Sequence, residues 1–108
     1  MTLNIQIESG FPLVSVIVEG HIDTQSAPQF LDVLTNLQLS ELEELRIIAS
    51  ALTFMSSAGL RALVFAKQKM PHSARLIVVG AAEPVADVII KTGLGSAVML
   101  VERIEDIP

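Results

Sequence analysis

The chain of 108 residues contains no cysteine, no tryptophan and no tyrosine, and only four phenylalanines. Without cysteine, disulfides, thiol nucleophiles and Cys-ligated zinc are excluded together. Basic residues are few, seven against twelve acidic ones for a formal net charge of -5, and they are scattered. A nucleic-acid partner would call for clustered Lys and Arg, so none is expected. No apolar run approaches the roughly 20 residues of a membrane-spanning helix. Met1 to Glu8 has neither the basic start nor the apolar centre of a secretory signal, and the expected location is the cytoplasm. His21 and His72 stand far apart with no second ligand at metal spacing, and no Gly-rich phosphate loop with a lysine occurs. The Gly-x-Ser-x-Gly elbow of serine hydrolases is also missing. These gaps point away from an enzyme: no catalytic residue, cofactor or metal ligand is assigned.

What is present is aliphatic. Hydrophobic residues make up 51% of the chain, chiefly Ala, Val, Ile and Leu, enough for one domain over residues 1–108 that folds without metals or disulfides. Leu3 to Glu8 alternates apolar and polar residues, Ser9-Gly10 signals a turn, and Leu13 to Val18 follows, which predicts an opening hairpin ended by Gly20. Asp23 or Thr24 can cap a first helix with Pro28 in its first turn. The inner face of that helix carries Ala27, Phe30, Leu31, Leu34 and Leu37. The acidic connector Ser40 to Glu44 is expected in solvent. Leu45 to Ala49 and Arg75 to Val79 are apolar on both faces, as interior strands are.

Between those two strands, residues 57 to about 70 show helical spacing, with Leu60, Leu63, Ala66 and Met70 on one side and Arg61, Phe65, Gln68 and Lys69 on the other or its flanks. Phe65 is thereby expected to face away from the core. A further helix opens at Glu83-Pro84, turns Val85, Val88 and Ile89 inward and closes at Gly93. Val98 to Val101 is a last short strand, and Glu102 to Pro108 a tail or final turn. A hairpin followed by alternating helices and strands predicts an α/β fold, a mixed sheet of four to five strands with crossover helices.

Two serines, Ser56 and Ser57, sit where a strand hands over to the central helix, and either hydroxyl can cap its unpaired N–H groups. The surrounding Phe54-Met55-Ser56-Ser57-Ala58-Gly59-Leu60 resembles the phosphorylation-site motif of STAS domains of the anti-sigma factor antagonist type. Val18 to Ala27 is similar to the family's Gly-x-hydrophobic-Asp segment before its first helix. Val88 to Leu94 is similar to its late helix ending in Gly-hydrophobic. The three occur in family order and spacing, so the resemblance spans nearly the whole chain. It implies a STAS-like single domain that binds protein partners in a partner-switching pathway of transcription regulation.

In that family, an anti-sigma factor with serine kinase activity binds the unphosphorylated domain, and phosphorylation ends the complex. Carried over, the resemblance makes Ser57 the phosphoacceptor, with Ser56 as second choice. It assigns partner binding to Gly20, Asp23, Thr24, Ser56, Ser57, Gly59, Arg61 and Phe65. Three positions depart from the family pattern: Ser56 and Ile48 replace acidic residues, and Ala58 replaces Ser or Thr. They support an alternative, a non-phosphorylated STAS scaffold subunit of a lipid-transport or sensory complex.

Overall fold

The computed structural model describes residues 3–108. The hairpin comprises β1 (Leu3–Gly10) and β2 (Leu13–Ile22). Then come α1 (Ala27–Thr35), β3 (Glu44–Met55), α2 (Ser57–Lys69), β4 (Arg75–Val79), α3 (Glu83–Lys91) and β5 (Met99–Val101). The strands lie in the order β1-β2-β3-β4-β5. β1 is antiparallel to β2, and every later neighbour is parallel. Each parallel pair is joined through one helix, because a parallel return needs a crossover that a tight turn cannot supply. Leu45 to Ala49 and Arg75 to Val79 are interior, as their apolar character on both faces predicts.

Register decides which residues meet. Val14 pairs with Leu45 and Val16 with Ile47, while on the other side of β3 these same residues pair with Leu76 and Val78. That aligns one apolar face, covered by Phe30 and Leu34 of α1, Leu60, Leu63 and Ala66 of α2, and Val85 and Ile89 of α3. A slip of one residue would turn every one of these strand side chains to the other face. Each such fully buried aliphatic side chain contributes about 1.5–3 kcal/mol.

The structure corrects three expectations. Gly20 does not end β2; it takes φ 105° within a strand whose pairing with β3 shifts register on either side of it and continues to Ile22. β3 likewise runs on to Met55, past the end of its apolar run, held by main-chain pairing to β2 and by the buried side chains of Leu52 and Met55. Of the acidic connector, Glu41 and Glu43 are exposed, whereas Glu44 is only 6% exposed. Its carboxylate receives Arg46 Nε and both Arg75 Nε and Nη2. These groups lie on the helix-free face of the sheet, where the C-terminal segment also returns, Arg75 Nη1 donating to the Pro108 carbonyl at 2.9 Å.

Burial alone would raise the Glu44 pKa, but the hydrogen bonds and charges of the two arginines outweigh it and hold it below the ordinary 4.5. A depressed carboxylate stabilises the fold above its unfolded pKa and loses that contribution as pH falls through the folded value. Glu44→Gln is expected to cost about 1–3 kcal/mol at neutral pH, the lower part being favoured by the partial exposure of Arg75. Urea titrations should show the gap to the parent closing as pH is lowered below the carboxylate range. A gap that persisted unchanged at low pH would mean that the ion pairs are not its cause.

Candidate functional site

The site is assembled at the carboxyl ends of β2 and β3, where both chains turn into helices. His21 stands opposite Phe54 and Ile22 opposite Met55 in the last rungs of the ladder, and the Ser56 N–H donates to the Ile22 carbonyl at 2.7 Å. Residues separated by more than thirty positions are therefore fixed side by side. The Thr53 hydroxyl adds a second tie. It donates to the Gly20 carbonyl at 2.9 Å and lies 2.9 Å from His21 Nδ1. With the hydroxyl proton on the carbonyl, the contact with the ring is one in which Nδ1–H of His21 donates to the Thr53 oxygen.

The turn after β2 is organised by Asp23. Its Oδ1 accepts from the backbone N–H of Gln25 and Ser26 and from the Ser26 hydroxyl, at 2.9–3.0 Å. The Ser26 N–H first, and then its hydroxyl, hold the Asp23 carboxyl below its ordinary range. Neither Asp23 nor Thr24 is the cap residue of α1. That position falls to Ser26, whose side chain makes no capping bond and instead accepts from the Asp23 N–H. Asp23 fixes the entry to the helix from three residues upstream.

In the turn after β3 the two serines divide their tasks. Ser56 has extended backbone and caps α2, its Oγ accepting from the Gly59 N–H at 3.3 Å. Ser57 is the first residue of the helix, exposed, with its hydroxyl uncommitted among the hydrogen bonds of the described residues. Unpaired N–H groups and the positive end of the helix dipole lie beneath it, a setting that tolerates added negative charge. Arg61, four residues on, is exposed on the same side of α2.

Two residues expected at the partner surface are placed otherwise. Gly59 is buried, and a Cβ there would come within 2.6 Å of Ile22 Cγ2 and 2.9 Å of Met55 Cγ. It lets α2 settle onto the strand ends and has no surface to offer. Phe65 is half-buried and packs against the core, with Lys69 Nζ 5.5 Å from its ring centre. The Leu39–Glu41 turn, which sequence periodicity does not announce, packs beside α2, and Leu37, Leu39 and Phe65 line the same cleft. At this end of the sheet the exposed aromatic is instead Phe54, 46% accessible and three residues before Ser57. It escaped sequence reading because β3 departs from strict alternation past Ala49, burying Leu52 and Met55 and exposing Thr53 and Phe54 between them. Phe65→Ala is expected to cost about 1–3 kcal/mol, and Phe54→Ala next to nothing, in thermal unfolding. Equal losses would contradict this placement.

The match to known proteins fits this geometry. The model of the STAS domain family matches residues 3–107. The chain belongs to the STAS domain family. No curated protein matches it by sequence. Among solved structures, the chain is similar to an anti-sigma factor antagonist from Mycobacterium paratuberculosis, with a TM-score of 0.87 and 25% identity over 97% of this chain and 90% of that one. The anti-sigma factor antagonist SpoIIAA in its unphosphorylated form gives a TM-score of 0.75 at 20% identity, covering 90% of this chain and 87% of that one. The phosphorylated form of the Bacillus cell fate determinant SpoIIAA gives 0.70 at 18%, covering 90% of each. The last two speak for the fold. In this STAS domain no helix among the described residues is long and apolar enough to cross a membrane.

Proposed function

We propose that this STAS domain is a binding module of the anti-sigma factor antagonist type, which engages an anti-sigma factor with serine kinase activity and is released by phosphorylation of Ser57. The observation that carries the reading is the division of labour at the start of α2: Ser56 is tied to the backbone while Ser57 stands exposed and free to reach a kinase. That one solved neighbour, SpoIIAA, exists in phosphorylated and unphosphorylated forms supports a switch on this fold. A phosphate brings about -1.5 to -2 charges. On the free protein the helix N-terminus accommodates them; inside a close interface they are desolvated and repelled.

The partner surface comprises Gly20, Asp23, Thr24, Ser56, Ser57, Arg61 and the exposed ring of Phe54. ATP and magnesium belong to the kinase, and the domain itself performs no catalysis. Phe54→Ala should weaken partner binding in a calorimetric titration while leaving the unfolding temperature in place.

The alternative of a non-phosphorylated scaffold subunit draws on Ala58, which has no hydrogen-bonding group, and on Ile48, which lies half-buried opposite Ile17 and Val79 on the helix-free face. Affinity capture from the native cell followed by mass spectrometry separates the two. A kinase-type anti-sigma factor in the eluate, and a phosphate on Ser57 in the intact mass after incubation with that kinase and ATP, support the switch. Transport components and an unmodified mass would retire it.

A further inference from the structure

β1 forms one margin of the sheet, and beyond Leu3 its outer side is without the positive charge, proline or bulge by which edge strands commonly avoid pairing with another chain. Residues 3–10 include no Lys, Arg or Pro. The strand pairs residue for residue with β2, from Leu3–Gly20 to Gly10–Leu13, without a bulge, and most of it is exposed. Edges are ordinarily blunted by positive charge, proline, bulges or a covering element.

The hairpin also settles which backbone groups face outward. Pro12 directs its carbonyl to the β3 side, where the Glu43 N–H meets it at 2.9 Å, so the Leu13 N–H on the same peptide plane points to β1. Alternate residues of an antiparallel strand send both N–H and C=O to the same side. Gly10, Glu8, Gln6 and Asn4 therefore pair inward, and Leu3, Ile5, Ile7 and Ser9 present their groups outward. The Leu3 carbonyl bears this out by accepting from Gln29 Nε2 at 3.2 Å. Ile5, Ile7 and Ser9 have no such cover among the hydrogen bonds of the described residues.

This edge is complementary to itself. Two copies running antiparallel about a twofold axis at Gln6 would set Ile5 of each against Ile7 of the other, Asn4 against Glu8, and the two Gln6 residues face to face. Ile5 and Ile7 pair with the core residues Val18 and Val16, so all four isoleucines fall on the helix-bearing face. There they extend the apolar layer and cover Ile7, which is 48% exposed in the single copy. The one charge in β1, Glu8, meets an amide and not a second carboxylate. A register centred on Ile7 would set Ile5 against Ser9 and forfeit half of this apolar match.

We propose that two copies of this chain associate through β1 in the register centred on Gln6, joining their sheets into one. Light scattering behind size exclusion, run from low to several hundred micromolar protein, should show the mass rising from one chain to two. Ile7→Lys, at an exposed position outside the core, should keep the circular dichroism of the parent and stay monomeric throughout.

The absence of cysteine gives a test of register. Gln6→Cys places two thiols in directly opposed, non-hydrogen-bonded positions, within reach of a disulfide, and should cross-link on mild oxidation. In Glu8→Cys the two thiols stand about 13 Å apart along the strands and should not. A parent that is monomeric across the range overturns the proposal. So does a dimer indifferent to Ile7→Lys, or one in which both cysteine variants cross-link equally.

Discussion

Ser57→Asp is expected to reduce affinity for the kinase-type partner by a hundredfold or more, an effect of about 3 kcal/mol. The change puts a carboxylate at the centre of the proposed contact, where a charge brought out of water without a paired cation costs several kcal/mol. Ser57→Ala should bind as the parent does and resist release by ATP, since the hydroxyl that would accept phosphate is gone. Calorimetric titration with and without ATP separates these outcomes. Stability should scarcely change in either variant, because the capping bond belongs to Ser56; Ser56→Ala is the change expected to cost about 0.5–2 kcal/mol. If both Ser57 variants bound equally well and both were released by ATP, Ser57 would not be the switch.

Gly59→Val should be the most damaging single change to the fold. A Cβ at this position already meets Ile22 Cγ2 at 2.6 Å and Met55 Cγ at 2.9 Å. Ile22 is buried and stiff at its branched Cβ, so the ring of neighbours cannot yield by a simple side-chain rotation. Overpacking of this kind costs about 1–3 kcal/mol for a methyl group and more for a branched side chain. Gly59→Ala gives a graded control: its strain is offset by nearly 1 kcal/mol of improved helix propensity. In thermal denaturation the midpoint should fall modestly for Ala and by well over ten degrees for Val, at about 4–8 °C per kcal/mol for a domain near this size. Partner binding should fall with it, since lifting α2 from the strand ends displaces Ser57 from Gly20 to Ser26. A valine variant as stable as the parent would show that α2 can shift freely, and the tight seat of the helix would lose its meaning.

The order of elements was legible in the sequence because hydrophobic periodicity reports burial, and burial is what selects strand or helix here. The alternation of Leu3 to Glu8, the doubly apolar runs Leu45 to Ala49 and Arg75 to Val79, and the stripe Leu60, Leu63, Ala66 and Met70 each carry their own answer. The serine pair before the central helix was legible too, since a helix start demands a capping group within a residue or two. Periodicity could not show where these strands end. β2 and β3 continue past Gly20 and Ala49 to the buried Ile22 and Met55, but the register shifts in their pairing break the two-residue alternation that would have announced it. Nor could it show pairings between distant segments. The bond from Ser56 to Ile22, the tie of Thr53 to Gly20 and His21, the burial of Glu44 between two arginines and the cover over Phe65 all depend on which strand and which turn arrive alongside. Local sequence thus determined which segments would be strand or helix and, Phe65 and Glu44 apart, the main inward stripe of each. Only the tertiary structure decided which residues form one surface around Ser57, because that neighbourhood is set by strand register and helix seating, properties of pairs of segments and of no single one.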